Sequence, residues 1–182
     1  MKVLTQNLKT GKTDILEVPS PTINSDKIRV LNEYSLISTG TESSIVNFGK
    51  ANWINKAKQQ PDRVKDVINK IKSSGISDTY RAIKNKLDYP MVMGYSAVGI
   101  VSHTNENYDL PKGTRVFTNS FHQEEALVDY NMCVKIPDNL DNKSASFGAI
   151  GGIAMQSIKC VPEDTKMIVL IGLGLLGQVT LR

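Results

Sequence analysis

The 182-residue sequence has few of the residues that stabilise secreted or membrane-spanning proteins. It contains two cysteines, Cys133 and Cys160. Two cysteines cannot form a disulfide framework or a cysteine-rich zinc site. No apolar run reaches the roughly 18–20 residues that span a bilayer. The longest candidate, Met167 to Leu176, is about half that length. We therefore expect no membrane partner and a reducing, cytoplasmic location.

Aromatic residues are also scarce, at 6% of the chain, whereas hydrophobic residues make up 40% and charged residues 22%. The last two values are near globular averages, which argues against disorder, collagen or coiled coil over the whole chain. The N-terminus, Met1 to Asn7, becomes polar too soon for a signal peptide. The length suits one domain, or one domain with part of another.

Positive charge is concentrated in residues 50–88. This segment holds ten Lys or Arg and four Asp residues, a net charge of +6, so the rest of the chain carries −2. The pattern predicts a helix from Pro61 to Gly75 and a second from Ser77 to before Pro90. Two apolar stripes at helical spacing carry this prediction: Val64, Val67, Ile68 and Ile71, then Tyr80, Ile83 and Leu87.

Three interpretations of this basic helical insert stay open. The first, which we favour, is a solvated helix face. The second is contact with an anionic substrate or a partner domain. The third is nucleic-acid binding, for which Trp53 alone supplies no stacking platform.

Short strands dominate the rest of the chain. Residues 1–48 are predicted to be β-structure, with a strand and turn from Tyr34 to Gly40. Evenly spaced short strands then recur between Met91 and Pro137, as in a small barrel. The pattern becomes helical from Lys143 to Lys159. The predicted fold class is therefore mainly β with α.

A glycine fingerprint follows near the C-terminus. Lys166 to Ile171 predicts a buried strand, and a helix can begin at Gln178. Between them lies the G-x-G-x-x-G pattern of dinucleotide sites, whose members are Gly172, Gly174, Leu175, Leu176 and Gly177. Its glycines allow a tight turn, close approach of a pyrophosphate and helix–strand packing. The alternative is an ordinary glycine-rich turn. The acidic ribose ligand is expected about 20 residues later, beyond Arg182.

A β-rich unit leading into this fingerprint resembles the medium-chain dehydrogenase/reductase superfamily. The residues that carry the resemblance are Ile37 to Glu42, Pro90 to Val101, Gly113 to Val116, the strand around Val128, Val134 to Pro137 and Ile171 to Gly177. It implies a GroES-like substrate domain over residues 1–160, with the helical insert at 50–88. It also implies the start of a Rossmann domain over 161–182, which we expect to be incomplete. NAD or NADP would be the cofactor of the complete protein.

Asn7 to Gly11, Ser35 to Glu42 and Lys56 to Asp62 further resemble a subgroup of bi-domain oxidoreductases. In that subgroup a reductase of this type is fused to a sugar-dehydrogenase-like half, often in surface-polysaccharide loci. The resemblance therefore implies a small-molecule substrate, with an anionic or sugar-linked compound as one option.

The sequence departs from the zinc enzymes of this superfamily at the metal ligands. Where those enzymes have Cys-Gly-Thr-Asp, this chain has Thr39-Gly40-Thr41-Glu42. Where they have Gly-His-Glu, it has Gly94-Tyr95-Ser96. No cysteine occurs in residues 147–150, around the third ligand position. Since zinc needs three or four converging ligands, we expect no metal site.

Without zinc, hydrogen-bond donors must stabilise the substrate oxygen. By their match to the family, Thr41, Tyr95 and Ser96 are the candidate catalytic residues, with Tyr95 as a proton donor and Thr41 as a relay. The alternative is that each is structural. His103 is expected at the surface, and for His122 a non-catalytic role is favoured. Cys133 is most simply a small core residue.

The function predicted is a zinc-independent, NAD(P)-dependent oxidoreductase that is incomplete and inactive alone. Two alternatives are a non-catalytic module that serves assembly, including homo-oligomer formation, and a basic nucleic-acid-binding domain.

Overall fold

The computed structural model describes residues 1–23 and 27–182, which divide into two compact units. The first unit comprises Met1–Val3, Glu17–Gly40 and Gly94–Arg182, and the second comprises Leu4–Leu16 and Thr41–Met93. The strands are β1 (Lys2–Gln6), β2 (Thr13–Glu17), β3 (Lys27–Ser35), β4 (Met91–Val92), β5 (Ala97–His103), β6 (Arg115–Thr118), β7 (Glu125–Asp129) and β8 (Cys133–Lys135). The helices are α1 (Thr39–Lys50), α2 (Trp53–Gln59), α3 (Pro61–Ser74), α4 (Ile76–Asp88), α5 (Asn142–Ala145), α6 (Gly148–Lys159) and α7 (Leu175–Leu181).

A five-stranded antiparallel sheet forms the centre of the first unit. Its strand order is β7-β3-β5-β6-β8. Alternate residues of β3 and of β7 point into one core, as the period of a half-buried strand requires. That core consists of Ile28, Val30, Val101, Leu110, Val116, Ala126 and Val128. The predicted fold class, mainly β with an added helical part, is confirmed.

Strand β5 lies in the middle of this sheet and contains a glycine that has no room for a side chain. Gly99 lies opposite Asn32 on β3 and Val116 on β6. A Cβ atom at this position would lie 2.1 Å from the carbonyl oxygen of Leu31. The backbones of β3 and β5 therefore approach each other closely at Gly99.

An ion pair joins β3 to β7 at the edge of the sheet. The guanidinium of Arg29 donates from Nε to Glu125 Oε2 over 2.9 Å, and its Nη2 also donates to that oxygen. Ser20 Oγ donates to Glu125 Oε1 over 3.1 Å. The hydrogen bonds from Arg29 keep the pKa of the Glu125 carboxyl below its ordinary value. The ionised carboxylate therefore stabilises the fold.

We expect Glu125→Gln to lower the free energy of unfolding by about 1 kcal/mol at neutral pH, the usual contribution of such a hydrogen bond. Because the folded pKa is depressed, the wild-type advantage is complete above the ordinary carboxyl pKa of 4.5. It should disappear as the pH falls through the lower folded value. Urea unfolding of both proteins at neutral pH and at successively lower pH measures this difference. A difference that is independent of pH would contradict it.

The second unit contains a three-stranded sheet and four helices. The sheet has the order β2-β1-β4. Gln6, at the end of β1, is fully buried, and its Oε1 accepts a hydrogen bond from Thr13 Oγ1 over 2.5 Å. Gly49 of α1 packs so closely on this side chain that a Cβ would lie 2.7 Å from Gln6 Nε2. The buried amide thus fixes α1 against the small sheet.

Helix α1 corrects the prediction of a strand and turn from Tyr34 to Gly40. Strand β3 continues to Ser35, and the helix begins at Thr39, inside the segment assigned to β-structure. Glu42 in its first turn and Lys50 in its last turn match the helix dipole. These local signals are weak in a segment rich in Ser and Thr, and the strand pattern of β3 outweighed them in the prediction.

The two predicted helices of the basic insert are confirmed as α3 and α4. Pro61 begins α3, and Gly75, whose φ is +80°, separates it from α4. Glycine reaches this conformation without the strain of a side chain. None of the described side chains of α3 is buried. Every helix among the described residues is too short or too polar to span a lipid bilayer.

The C-terminal part differs from prediction in two ways. The single helix expected from Lys143 to Lys159 is divided into α5 and α6 around Ser146 and Phe147. The strand expected from Lys166 to Ile171 is absent, since within the described residues no neighbouring strand pairs with it. Apolar sequence can favour an extended conformation, but only a partner supplies the hydrogen bonds that make a strand.

Candidate active site

Tyr95 and Ser96 lie at one end of the five-stranded sheet, immediately before β5. Gly94 turns the chain there, with φ at +91°, a conformation that favours glycine. The N–H of Leu36, just after β3, donates to the carbonyl oxygen of Ser96 over 2.9 Å. Ser35 and Ala97 are paired across the two strands. The ends of β3 and β5 thereby hold the predicted site residues of the first unit.

Ser96 is buried, and its hydroxyl is committed to the backbone. Its side chain is 1% exposed, and Oγ donates to the carbonyl oxygen of Ser146 over 2.6 Å. This bond ties the start of β5 to the end of α5. We therefore assign Ser96 a structural role and omit it from the chemistry proposed below. Tyr95 is only half-buried, and no hydrogen bond of its side chain is found within residues 1–23 and 27–182.

His122 adjoins this turn and forms a pair with Ser35. The ring atom Nδ1 of His122 lies 2.8 Å from Ser35 Oγ. His122 is almost fully buried, whereas Ser35 is exposed. A Cβ on Gly94 would lie 2.7 Å from the backbone nitrogen of His122 and 2.7 Å from its Cγ. The glycine next to Tyr95 is thus in direct contact with an imidazole.

Sequence reasoning did not bring these two side chains together. A non-catalytic role was favoured for His122, and Ser35 was not singled out as a site residue. The signal that could have found them is topological. If β3 and β5 are antiparallel neighbours, the residues after β3 and before β5 share one edge of the sheet. A histidine on the loop that precedes β7 can reach the same edge.

A group of buried polar side chains supports the loop that carries His122. Thr118 Oγ1 and Ser120 Oγ are 2.8 Å apart, and both side chains are buried. Asn32 Nδ2 donates to the carbonyl oxygen of Gln123 over 2.9 Å and to Ser120 Oγ over 3.2 Å. Buried polar groups of this kind fix a loop when they are hydrogen-bonded. The position of His122 is therefore held from both sides.

Thr41, the third candidate, belongs to the second unit. It is exposed in the first turn of α1. The following residue, Glu42, is 5% exposed. His103 ends β5 and is exposed, as the sequence predicts.

The predicted cofactor turn has the close contact that its third glycine implies. Gly172 has φ at +97°, and a Cβ on Gly177 would lie 2.0 Å from the carbonyl oxygen of Gly172. Gly174 has an extended backbone and nothing within 4 Å of a Cβ position. Leu175 and Leu176 open α7. The turn thus combines a tight approach at Gly177 with open space at Gly174.

A metal centre is not supported by the side chains present. In the part of the chain that the structure describes, no group of three or more His, Cys, Asp or Glu side chains lies close enough together to hold a metal ion. Among the positions matched to the zinc ligands, Thr39 supplies a hydroxyl in place of the cysteine and Tyr95 a phenol in place of the histidine. Zinc prefers thiolate, imidazole or carboxylate ligands. We therefore assign no step to a metal.

Cys133 is not a nucleophile at neutral pH. Its side chain packs against the core of the first unit. Burial, assisted by the negative charge of Asp129, raises the pKa of its thiol to about 11. The thiolate is the reactive form of cysteine, so this thiol stays inert in the folded protein. Cys160, in contrast, is exposed at the end of α6.

We expect iodoacetamide at pH 8 to alkylate Cys160 and to leave Cys133 unmodified in the folded protein. Mass spectrometry of the intact chain and of its peptides measures both sites. A Cys160→Ser variant is the control, which should remain unmodified until urea unfolds it or the pH approaches 11. Rapid alkylation of Cys133 in that variant at pH 8 would contradict the burial of the thiol.

Comparison with known proteins identifies a related sequence family. The family described as alcohol dehydrogenase GroES-like domain matches residues 64–171. A search of curated proteins found no match.

Solved structures share the fold at low sequence identity. A short chain alcohol dehydrogenase from E. coli CFT073, complexed with NADH, has a TM-score of 0.67 at 16% identity, covering 99% of this chain and 51% of its own. A putative zinc-binding dehydrogenase from Clostridium scindens has a TM-score of 0.67 at 16% identity, and the match covers 99% of this chain and 54% of that protein. S. aureus TarJ in complex with NADPH has a TM-score of 0.58 at 17% identity, and the match covers 98% of this chain and 48% of that protein. The chain thus spans about half the length of these proteins.

Proposed function

Because the chain belongs to the alcohol dehydrogenase GroES-like domain family, within the medium-chain dehydrogenase/reductase superfamily, we propose that it is part of a zinc-independent, NAD(P)-dependent oxidoreductase. The first unit would bind the substrate beside Tyr95, and Gly172, Gly174 and Gly177 would bind the coenzyme diphosphate. The observation that carries this proposal is the glycine turn, in which Gly177 leaves no space for a Cβ and Gly174 leaves open space. Two of the similar solved structures contain NADH or NADPH.

When bound, a reduced nicotinamide supplies a hydride to the substrate carbon. The chain's own residues would handle the proton that the substrate oxygen must gain. Tyr95 is the proposed donor, because its phenol is half-buried at the sheet edge and makes no hydrogen bond within the described residues. A donor aimed at a developing negative charge lowers the barrier.

Ser35 and His122 are proposed to deliver a proton to this site. The exposed hydroxyl of Ser35 is hydrogen-bonded to a nearly buried imidazole. An imidazole has two ring nitrogens, so His122 can hydrogen-bond Ser35 through Nδ1 and exchange a proton through either nitrogen. The contact between Gly94 and His122 links this pair to the backbone of Tyr95. Thr41 stays a candidate relay on the basis of the family resemblance alone.

The substrate is proposed only as a broad chemical class. A small carbonyl or alcohol compound, anionic or sugar-linked, fits the resemblance to bi-domain oxidoreductases of polysaccharide loci. That resemblance is carried by Asn7 to Gly11, Ser35 to Glu42 and Lys56 to Asp62.

We expect the purified chain to bind NADH or NADPH saturably. A titration that follows nucleotide fluorescence and thermal unfolding together should show stabilisation that rises with ligand concentration. The two readouts must give the same dissociation constant. No binding at millimolar concentrations of either nucleotide would contradict a coenzyme site in this chain.

A second candidate function is assembly, and one observation favours it. Met167 to Ile171 is a run of five apolar residues that are all exposed to solvent. Exposed, extended apolar segments tend to pair with another chain. Light scattering as a function of protein concentration tests this candidate, and a strict monomer at high concentration would contradict it.

A further inference from the structure

Helices α3 and α4 carry apolar side chains that the fold leaves largely uncovered. α3 packs against α4 and α2. Even so, Ile68 is 48% exposed, Ile76 is 74% exposed and Tyr80 is 63% exposed. A helix that packs onto a core buries its apolar stripe. Large exposed side chains on two adjacent helices instead mark a surface that contacts something else.

Cationic side chains border these apolar residues. Lys65 precedes Ile68 by three residues, and Lys72 follows it by four, so both are its neighbours on the helix surface. Lys84 follows Tyr80 by four residues on α4. All three lysines are exposed. Long lysine stems can lie along an apolar surface while the ammonium group stays in a polar layer.

The two aspartates of α3 lie on a different side of the helix from its apolar stripe. Asp62 and Asp66 of α3 are exposed and are spaced with Asn69 and Ser73 along another side of the helix. The ion pairs from Lys65 to Asp62, 3.4 Å, and from Arg63 to Asp66, 3.9 Å, lie at the surface and contribute little. α3 therefore has an apolar stripe, a cationic border and an acidic opposite side.

We propose that α3 and α4 bind the surface of an anionic lipid bilayer, with Ile68, Ile76 and Tyr80 entering the boundary between headgroups and acyl chains. Helices that lie in a membrane interface have this combination of an apolar face and flanking cations. Residues 61–88, which contain α3 and α4, hold seven Lys or Arg and four Asp residues, and this net charge of +3 complements anionic headgroups. The proposal departs from the sequence-based expectation of no membrane partner, because the exposure of the stripe could not be predicted from the sequence.

Nucleic acid is a poorer match to the same surface. Phosphate contacts need only the cations, whereas exposed isoleucines gain nothing from a polynucleotide. Single-stranded nucleic acid would use aromatic side chains for stacking, and Tyr80 is the one aromatic residue among the three exposed apolar side chains. The apolar residues between the lysines are therefore what favours lipid.

The test is flotation of the full chain with vesicles of phosphatidylcholine alone or with about 30% phosphatidylglycerol. We expect binding to the anionic vesicles and little to the neutral ones, because each lysine near the surface strengthens binding by roughly fivefold. The double variant Ile76→Ser, Tyr80→Ser should weaken binding by at least about tenfold. Lys65→Gln with Lys72→Gln should weaken it to a similar degree and reduce its salt dependence.

Ile171→Ser is the matched control, because Ile171 is 93% exposed but lies outside the two helices. This variant should bind like the wild type. Circular dichroism of each variant establishes that the helices are retained. Three results would overturn the proposal: no binding to anionic vesicles, loss of binding only in Ile171→Ser, or binding that the Ile76 and Tyr80 changes leave intact. Equal binding of generic double-stranded DNA by the wild type and the double variant, without vesicle binding, would identify a polyanion site instead.

Discussion

Replacement of Gly99 by alanine is expected to lower the free energy of unfolding of the first unit by about 3 kcal/mol or more. The new Cβ would lie 2.1 Å from the carbonyl oxygen of Leu31 and 2.8 Å from Val30 Cγ1. The first of these atoms is backbone and cannot move away without separating β3 from β5. Overpacking of a core typically costs about 1–3 kcal/mol. A clash with the backbone in a central strand should reach the upper end of that range or exceed it. Since native domains have only about 5–15 kcal/mol in total, the loss is severe.

Urea unfolding followed by circular dichroism measures this effect, with Gly152→Ala as the matched control. Gly152 lies within α6, and nothing lies within 4 Å of its Cβ position. Alanine is the better helix former there, so this variant should be equal to the wild type or up to about 1 kcal/mol more stable. Equal stability of Gly99→Ala and the wild type would show that β3 and β5 are farther apart than described here.

The second large effect is expected in the glycine turn. In Gly177→Ala the added carbon would lie 2.0 Å from the carbonyl oxygen of Gly172. The turn must open, and α7 must move away from Gly172. If this turn holds the coenzyme diphosphate, affinity for NADH or NADPH should fall by on the order of 100-fold. The contacting atoms lie outside the five-stranded sheet, so the free energy of unfolding of that sheet should change little.

Gly174→Ala separates the effect of the turn on nucleotide binding from its effect on the structure of the free protein. Gly174 has an extended backbone that alanine can also adopt, and nothing lies within 4 Å of its Cβ position. The free protein should therefore keep the wild-type structure. Nucleotide affinity should still fall, because the added methyl group occupies the space through which the diphosphate approaches. Full affinity in both variants would place the nucleotide elsewhere, and full affinity in Gly174→Ala alone would limit the role of the turn to Gly177.

Local patterns in the sequence predicted most of the regular structure. The apolar spacing of Val64, Val67 and Ile71, between Pro61 and Gly75, was sufficient to place α3. Short strands between Gly94 and Pro137 were also predictable, because alternation of apolar and polar residues is a local property. The helix from Thr39 to Lys50 was missed because its local signals are weak, and its contact with Gln6 joins residues that are far apart in sequence.

The candidate site was predicted less completely, for a physical reason. Tyr95 could be proposed from a motif, but its neighbours Ser35 and His122 come together only through strand pairing. The burial of individual polar side chains could not be predicted from the sequence either. The hydroxyl of the buried Ser96 donates a hydrogen bond to the carbonyl oxygen of Ser146. No pattern in the neighbouring sequence distinguishes it from an exposed serine such as Ser35. The strand expected from Lys166 to Ile171 illustrates the same limit, since strand formation requires a partner.

The order of elements along the chain also sets the order of folding. Strand β3 is followed by all of α1 to α4 before its neighbour β5 appears, and its other neighbour, β7, comes later still. Helices form from local contacts in about a microsecond, whereas distant strands must first close a long loop. The helices therefore have ample time to form while Ile28 and Val30 still lack their core partners. The refolding rate of the first unit should then depend on how fast Ala97–His103 finds Lys27–Ser35, and the apolar side chains of β3 stay uncovered until that encounter.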